Sequence, residues 1–244
     1  MVIIIKLVGI TLRQQKILER IVGEYIDSAK PVASRLIEKK YRFGISPATI
    51  RTEMQTLTRE GYLFQPHTSA GRVPTDKGYR FFVDCLSEKE VSDFLDLFTI
   101  KERLRSEDRE DIFKFVGQLT KSLAKASSNF VISCLLSKNF FFKEGWEEVL
   151  KEPEFEDKAF RGSFAKFLDN FEKSIEDLKI NSKIKIYIGK ENPFKEAENF
   201  SLILGKCNFP KREEGIISIL GPKRMTYEKN INLIHSILKI LKEH

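Results

Sequence analysis

The sequence predicts an α+β protein in two parts, and three observations carry that prediction. Residues 1–86 hold three helical patterns, a short hairpin-like loop and a fourth helical pattern. From residue 129 onward, apolar runs of strand length alternate with amphipathic stretches. Positive charge is segregated: residues 1–86 carry 14 Lys and Arg against 8 Asp and Glu, whereas residues 87–244 carry 28 against 27. A chain of 244 residues can bury two small cores, and 41% hydrophobic with 32% charged residues fits a soluble globular protein. The expected domains are therefore 1–86 and 87–244.

The first helix is expected over Thr11–Ser28. Thr11 is its N-cap, and Leu12, Ile17, Leu18, Ile21, Val22, Tyr25 and Ile26 recur on one face. Pro31 breaks the chain. A shorter helix follows over about Val32–Lys40, with Val32, Leu36 and Ile37 inward, and Gly44 closes the next turn. The third helix has the clearest start: Ser46 caps it and Pro47 occupies its first position. Ile50, Met54 and Leu57 form its buried stripe, and Gly61 stops it. A strand at Tyr62–Gln65, the loop His67–Arg72 and the exit Val73-Pro74 lead to a fourth helix, capped by Thr75 and running to about Leu86. Together these make a winged helix-turn-helix with the third helix as recognition helix.

After residue 86, helices are expected at Glu88–Phe98 and Ser106–Ala126. Asn129–Ser137 reads as a buried strand and Phe140–Phe142 as a second. A helical stretch covers Glu154–Leu178. Strands follow at Lys183–Gly189, Phe200–Phe209 and Gly215–Leu220, the last ended by Gly221-Pro222. The chain finishes in a helix over Thr226–Lys242, with Ile231, Ile234, Leu238 and Leu241 at helical spacing. The result is a mostly antiparallel sheet with helices. Most of the sixteen phenylalanines after residue 86 read as core. Phe140, Phe141 and Phe142 cannot all face inward on one strand, so this run is the candidate dimer contact.

The chemistry lies in the first part. Opposite its buried stripe, the third helix carries Ala48, Thr49, Arg51, Thr52 and Gln55. These side chains are short or end in hydrogen-bonding groups, which suits a helix entering a groove about 12 Å wide. Arg51 is the expected partner of guanine and Gln55 of adenine; Thr49 or Thr52 suits phosphate or a thymine methyl. Ser46 and Pro47, at the helix entry, join the candidate DNA-binding residues. In the loop, His67, Thr68 and Arg72 complete the set, with the wing arginine expected on backbone or minor groove.

Other classes are disfavoured. His67, His235 and His244 do not cluster, and no phosphate-binding glycine loop, nucleophile elbow or metal-ligand spacing is present, so neither an enzyme nor a cofactor is expected. Cys85, Cys134 and Cys207 are far apart and read as small core residues. Met1–Ile10 is apolar, too short to span a bilayer and unlike a signal peptide. It is read as a buried strand or arm, or as a start codon assigned too early. A cytoplasmic protein without membrane contact follows.

The runs RQQKILERIVGEYIDSAKPVASRLIEK and SPATIRTEMQTLTREGYLFQPHTSAGRVPTDKGYRFFVD closely resemble the heat-inducible transcription repressor HrcA family. So do IGKENPF at Ile188–Phe194 and ISILGPKRMTYEKNINLI at Ile217–Ile234. The resemblance implies a repressor of chaperone genes, a homodimer on an inverted-repeat operator in double-stranded DNA, inactivated by heat and restored by the GroE chaperonin. It implies a GAF-like second domain, normally carrying an inserted dimerisation domain. Here Asn129–Ser137 runs almost directly into Phe140–Trp146, so that insert is expected to be missing or reduced. The alternative reading is a ligand-sensing winged-helix regulator with a small effector in the GAF-like domain.

Overall fold

The computed structural model describes residues 9–87, 111–175 and 182–242. Of the expected elements, the helix at Glu88–Phe98, nearly all of Met1–Ile10, the start of Ser106–Ala126 and the end of Glu154–Leu178 lie outside the described residues. The chain divides into two compact units, Met1–Glu88 and Lys89–His244.

In the N-terminal unit, α1 runs over Leu12–Ser28, α2 over Ser34–Tyr41, α3 over Pro47–Arg59 and α4 over Asp76–Ser87. The strands β1, Leu63–Phe64, and β2, Val73–Pro74, pair antiparallel and form the stem of the wing. Local chemistry sets the helix starts. Thr11 and Gln14 form a reciprocal capping box on α1. The Ser46 hydroxyl accepts from the Thr49 amide, and Pro47 follows it. The Thr75 hydroxyl accepts from the Gly78 amide at the start of α4. Gly61, with φ of 76°, takes the left-handed position just past α3.

The core is Ile17, Leu18, Ile21, Val22, Ile37, Ile50, Met54 and Leu57, all buried, closed by Tyr62, Tyr79 and Phe81. Two apolar residues expected inside are not. Leu12 is 65% exposed because it sits at the first position of α1, before the stripe meets a neighbour, and Leu36 is 41% exposed. Val32 is buried as expected but is not helical. It lies in extended backbone ahead of α2 and forms a β-bridge with Arg72, so the helix begins two residues later than its apolar pattern.

In the C-terminal unit, α5 spans Ile112–Ser127, β3 Phe130–Leu135, β4 Phe140–Glu144, α6 Trp146–Val149, α7 Lys158–Ser174, β5 Ile184–Ile188, β6 Phe200–Phe209, β7 Glu213–Pro222 and α8 Tyr227–Lys242. The five strands form one sheet in the order β4-β3-β7-β6-β5, with every neighbour antiparallel. β3 therefore pairs with β7 and β4, while β5 and β6 reach it only through β7. β7 is longer than expected: Gly221 and Pro222 remain paired with β6.

Alternation along the strands divides the core into two layers. Phe130, Ile132, Cys134, Phe200, Leu202, Leu204, Ile216 and Leu220 pack on Phe164, Phe167 and Phe171 of α7. On the other face, α8 covers Gly205, where an added Cβ would approach Ile234 at 2.9 Å. The α5 hydroxyl of Thr120 donates to Ser133 at 2.8 Å there. Helices thus cover both faces of the sheet. Cys134 and Cys207 are buried as expected, whereas Cys85 is only half-buried. β3 passes to β4 through a tight turn at Leu136–Asn139, so no inserted domain lies at that point.

Candidate nucleic-acid interface

The third helix, α3, is held from behind by a buried polar contact. Glu53 lies on the inner face of α3, and its carboxylate accepts from Gln14 Nε2 of α1 at 2.8 Å and pairs with Arg13. A buried carboxylate needs such partners, and two donors from one helix fix where α3 sits on α1. With Glu53, Ile50, Met54 and Leu57 inward, the opposite face is determined by the 3.6-residue period.

That face carries the expected residues. Ala48, Arg51, Thr52 and Gln55 are exposed, while Thr49 and Pro47 are half-buried. The Thr52 hydroxyl donates to the Ala48 carbonyl at 3.2 Å, which leaves its oxygen able to accept. Thr49 Oγ1 lies 3.0 Å from Ser46 Oγ. Ser46 is thus engaged as a cap, and its role at the helix entry is structural first. Arg51 and Gln55 are the long polar groups on this face that can reach a base edge.

The wing is assembled by three contacts. Val32 and Arg72 exchange both backbone hydrogen bonds at 2.9 Å. Gln65 Nε2 donates to the carbonyls of Thr68 and Ala70 at 2.8 and 2.9 Å, closing the loop on itself. Gly71 lies so close to the second helix's entry that a Cβ would stand 2.5 Å from the backbone carbonyl of Val32. The small residue at 71 therefore serves an approach within the protein. His67 and Thr68 are exposed at the loop tip, with His67 Nδ1 3.1 Å from Ser69 Oγ.

Arg72 departs from a free wing arginine. It is half-buried, and its Nε donates to Thr58 Oγ1 on α3 at 3.1 Å. Burial and the nearby Arg51 charge both lower its pKa from the ordinary arginine value. Arg51 and Arg72 thus share one positive locus where α3 meets the wing base, a field suited to a phosphate. Lys77 is a residue sequence reasoning missed. Its Nζ donates to the Glu60 carbonyl at the end of α3 at 2.7 Å and stands 4.1 Å over the Tyr62 ring. A lysine closing a helix C-terminus from 17 residues away carries no local signature. The Gln14–Glu53 contact was signalled only in part, by the T-x-x-Q spacing of the α1 cap.

The three phenylalanines divide as a strand requires. Phe141 packs against the inner core with α7. Phe140 and Phe142 lie on the other face against Phe113 of α5, with ring centroids 5.2 and 6.4 Å from it, and Phe140 and Phe113 are 45% and 40% exposed. Phe141 is thus half-buried against the inner core, because its side chain alternates away from its two neighbours.

The family described as HrcA protein C terminal domain matches residues 76–231. The chain belongs to the HrcA family. A heat-inducible transcription repressor HrcA of Natranaerobius thermophilus is 28% identical, with 92% of this chain and 94% of the relative covered. The alignment with that HrcA runs over 322 residues against a chain of 244, so long stretches of the relative have no counterpart here. An HrcA of Desulforamulus reducens is 49% identical over 113 residues, 46% of this chain and 33% of the relative. Among solved structures, a hypothetical protein at 2.2 Å resolution shares the fold, with a TM-score of 0.79 and 23% identity over 96% of this chain and 98% of that one. Among the described residues, no helix of this HrcA-family chain is long and apolar enough to cross a membrane.

Proposed function

We propose that this protein is a sequence-specific DNA-binding repressor of heat-shock genes, acting in the cytoplasm as a homodimer on an inverted-repeat operator. One observation carries the reading. The exposed face of α3 and the wing-base Arg72 present a single basic edge, on a chain whose relatives are named heat-inducible transcription repressors. Arg51 and Gln55 read base edges in the major groove, with Ala48, Thr49 and Thr52 against backbone or thymine methyl. Arg72, His67, Thr68 and the helix entry at Ser46-Pro47 meet phosphate and set the register.

In this reading, residues 1–86 are the reader and 87–244 the regulatory and dimerisation domain. A dimer must space its two recognition helices by about 34 Å or a multiple of it. Tethering raises affinity by effective concentration. The aromatic group Phe113, Phe140 and Phe142 beside the sheet-edge strand β4 is the contact between copies. Heat acts on the C-terminal domain. Its sheet joins strands far apart in sequence and its core is rich in phenylalanine, so partial opening exposes apolar surface of the kind a chaperonin binds.

Footprinting the purified chain on promoter fragments tests the reading. Protection of an inverted repeat, with affinity falling steeply as salt rises, is expected. Heating should abolish binding while the N-terminal unit is still folded, and GroE with ATP should raise the binding recovered. Full affinity for a single operator arm, or a flat salt response, would refute it.

A further inference from the structure

The C-terminal unit has a second basic feature that DNA reading does not use. A cleft of about 1230 Å³ opens between the end of α8 and the β6–β7 turn, somewhat above the roughly 300–1,000 Å³ of common small-molecule sites. Its cations come from four separate places. Lys183 precedes β5, Lys206 lies in β6, Lys211 and Arg212 form the turn, and Lys239 and Lys242 end α8. Glu214 is the one carboxylate among the described lining residues, and it lies 3.5 Å from Lys206 Nζ. The floor is apolar, made by Phe209, Leu238 and Leu241.

General basicity does not account for this. Residues 87–244 are nearly balanced, at 28 cations against 27 anions, so the lining is a local segregation of charge. Lysines in a last helical turn are favoured by the helix dipole, which covers Lys239 and Lys242 and leaves the other four unexplained. Two further features mark the lining. Lys183 and Lys242 both line the cleft, and the nearby Lys183 side chain holds the Lys242 pKa below the ordinary lysine value. Lys211 and Arg212 both hold φ of 61°, a left-handed conformation disfavoured for residues with a Cβ. Like charges lining one cleft disfavour each other's charged form, and an anion bound between Lys183 and Lys242 removes that penalty. A duplex suits the site poorly: its phosphates line a convex surface and gain nothing from an apolar floor.

We infer that this cleft binds a small molecule bearing phosphate groups, with the anion on Lys183 and Lys242 and the remainder on the Phe209–Leu238–Leu241 floor. A nucleotide and free polyphosphate share that chemistry. The site is independent of the proposed DNA reading.

Calorimetric titration of the full chain with ATP, tripolyphosphate and adenosine, without divalent metal, tests the assignment. ATP should bind saturably at one site per chain, and adenosine should not bind. The double variant Lys183→Ala, Lys242→Ala should weaken ATP by at least about tenfold, the effect of losing one charge-assisted contact. Both residues are exposed, so the fold does not depend on them. Arg212→Gly suits the left-handed φ, removes a lining cation and should also weaken ATP. Arg51→Ala, in the other unit, should leave ATP binding unchanged. Tripolyphosphate binding as well as ATP would assign the affinity to the phosphates, and weaker binding would assign a share to the floor; both support the inference. Absent ATP saturation, equal binding of adenosine, or ATP binding lost in Arg51→Ala and kept in the double variant would overturn it. A short duplex whose affinity, in place of ATP's, depends on Lys183 and Lys242 would also overturn it.

Discussion

Gly71→Ala tests how the wing is built. The new Cβ would lie 2.5 Å from the carbon and oxygen of Val32 and 2.7 Å from the carbon of Pro31. Those are backbone atoms that cannot swing aside, so the wing must move. Moving it opens the two 2.9 Å hydrogen bonds between Val32 and Arg72. Losing both costs about 1 kcal/mol each, and residual overpacking adds about 1–2 kcal/mol. The expected destabilisation is thus about 3–4 kcal/mol for the N-terminal unit. At about 4–8 °C per kcal/mol for a domain of this size, its melting point falls by about 12–32 °C. Circular dichroism follows the helices of the whole chain, while the sole tryptophan, Trp146, reports the C-terminal unit alone. A helical transition should separate from, and precede, the Trp146 transition. Because Arg72 shifts with the wing, its contact to Thr58 is lost, and operator affinity should fall even below the new transition. A variant within about 0.5 kcal/mol of wild type and with unchanged DNA affinity would refute the packing argument.

Further outcomes follow from the same geometry. Arg51→Ala should cost about 1–3 kcal/mol on the operator and relax discrimination at one base position. Arg72→Ala should weaken operator and scrambled duplex alike and reduce the salt slope by about 1; competition assays across an operator panel separate the two. Phe140→Asp should shift the chain toward monomer in sedimentation while leaving Trp146 emission native. Phe141→Asp places a charge against the Cys134 core and should unfold the C-terminal unit, so the reverse pattern would reject the assignment of faces. Glu24 is buried. Burial raises its pKa, but hydrogen bonds from Lys40 and Tyr41 and the Lys40 charge outweigh it, and the net shift is downward. Its stabilising effect is therefore present above the ordinary carboxylate pKa and is lost as pH falls through the lowered value. Urea midpoints should drop in that acid range for wild type and change less for Glu24→Gln.

The sequence by itself determined what short-range physics controls. Thr11, Ser46-Pro47 and Thr75 act within three residues of themselves, so three helix starts were legible from capping chemistry alone. Apolar periodicity identified the inner stripe of α3, and the outer face with Arg51 and Gln55 followed from it. Alternation implied that Phe140–Phe142 would divide between two faces. The tertiary structure alone decided which face was which. It also decided that Leu12 and Leu36 lack a neighbour to cover them and that Val32 pairs with Arg72 instead of joining a helix. Arg72 reads in sequence as a solvent-reaching wing residue. Its half-buried position on Thr58 depends on α3 and the wing meeting across 14 residues. The strand order and the basic cleft have the same origin. Each joins segments tens of residues apart, and a local pattern carries no record of which distant surface will cover it, because that choice is made by whole faces burying one another.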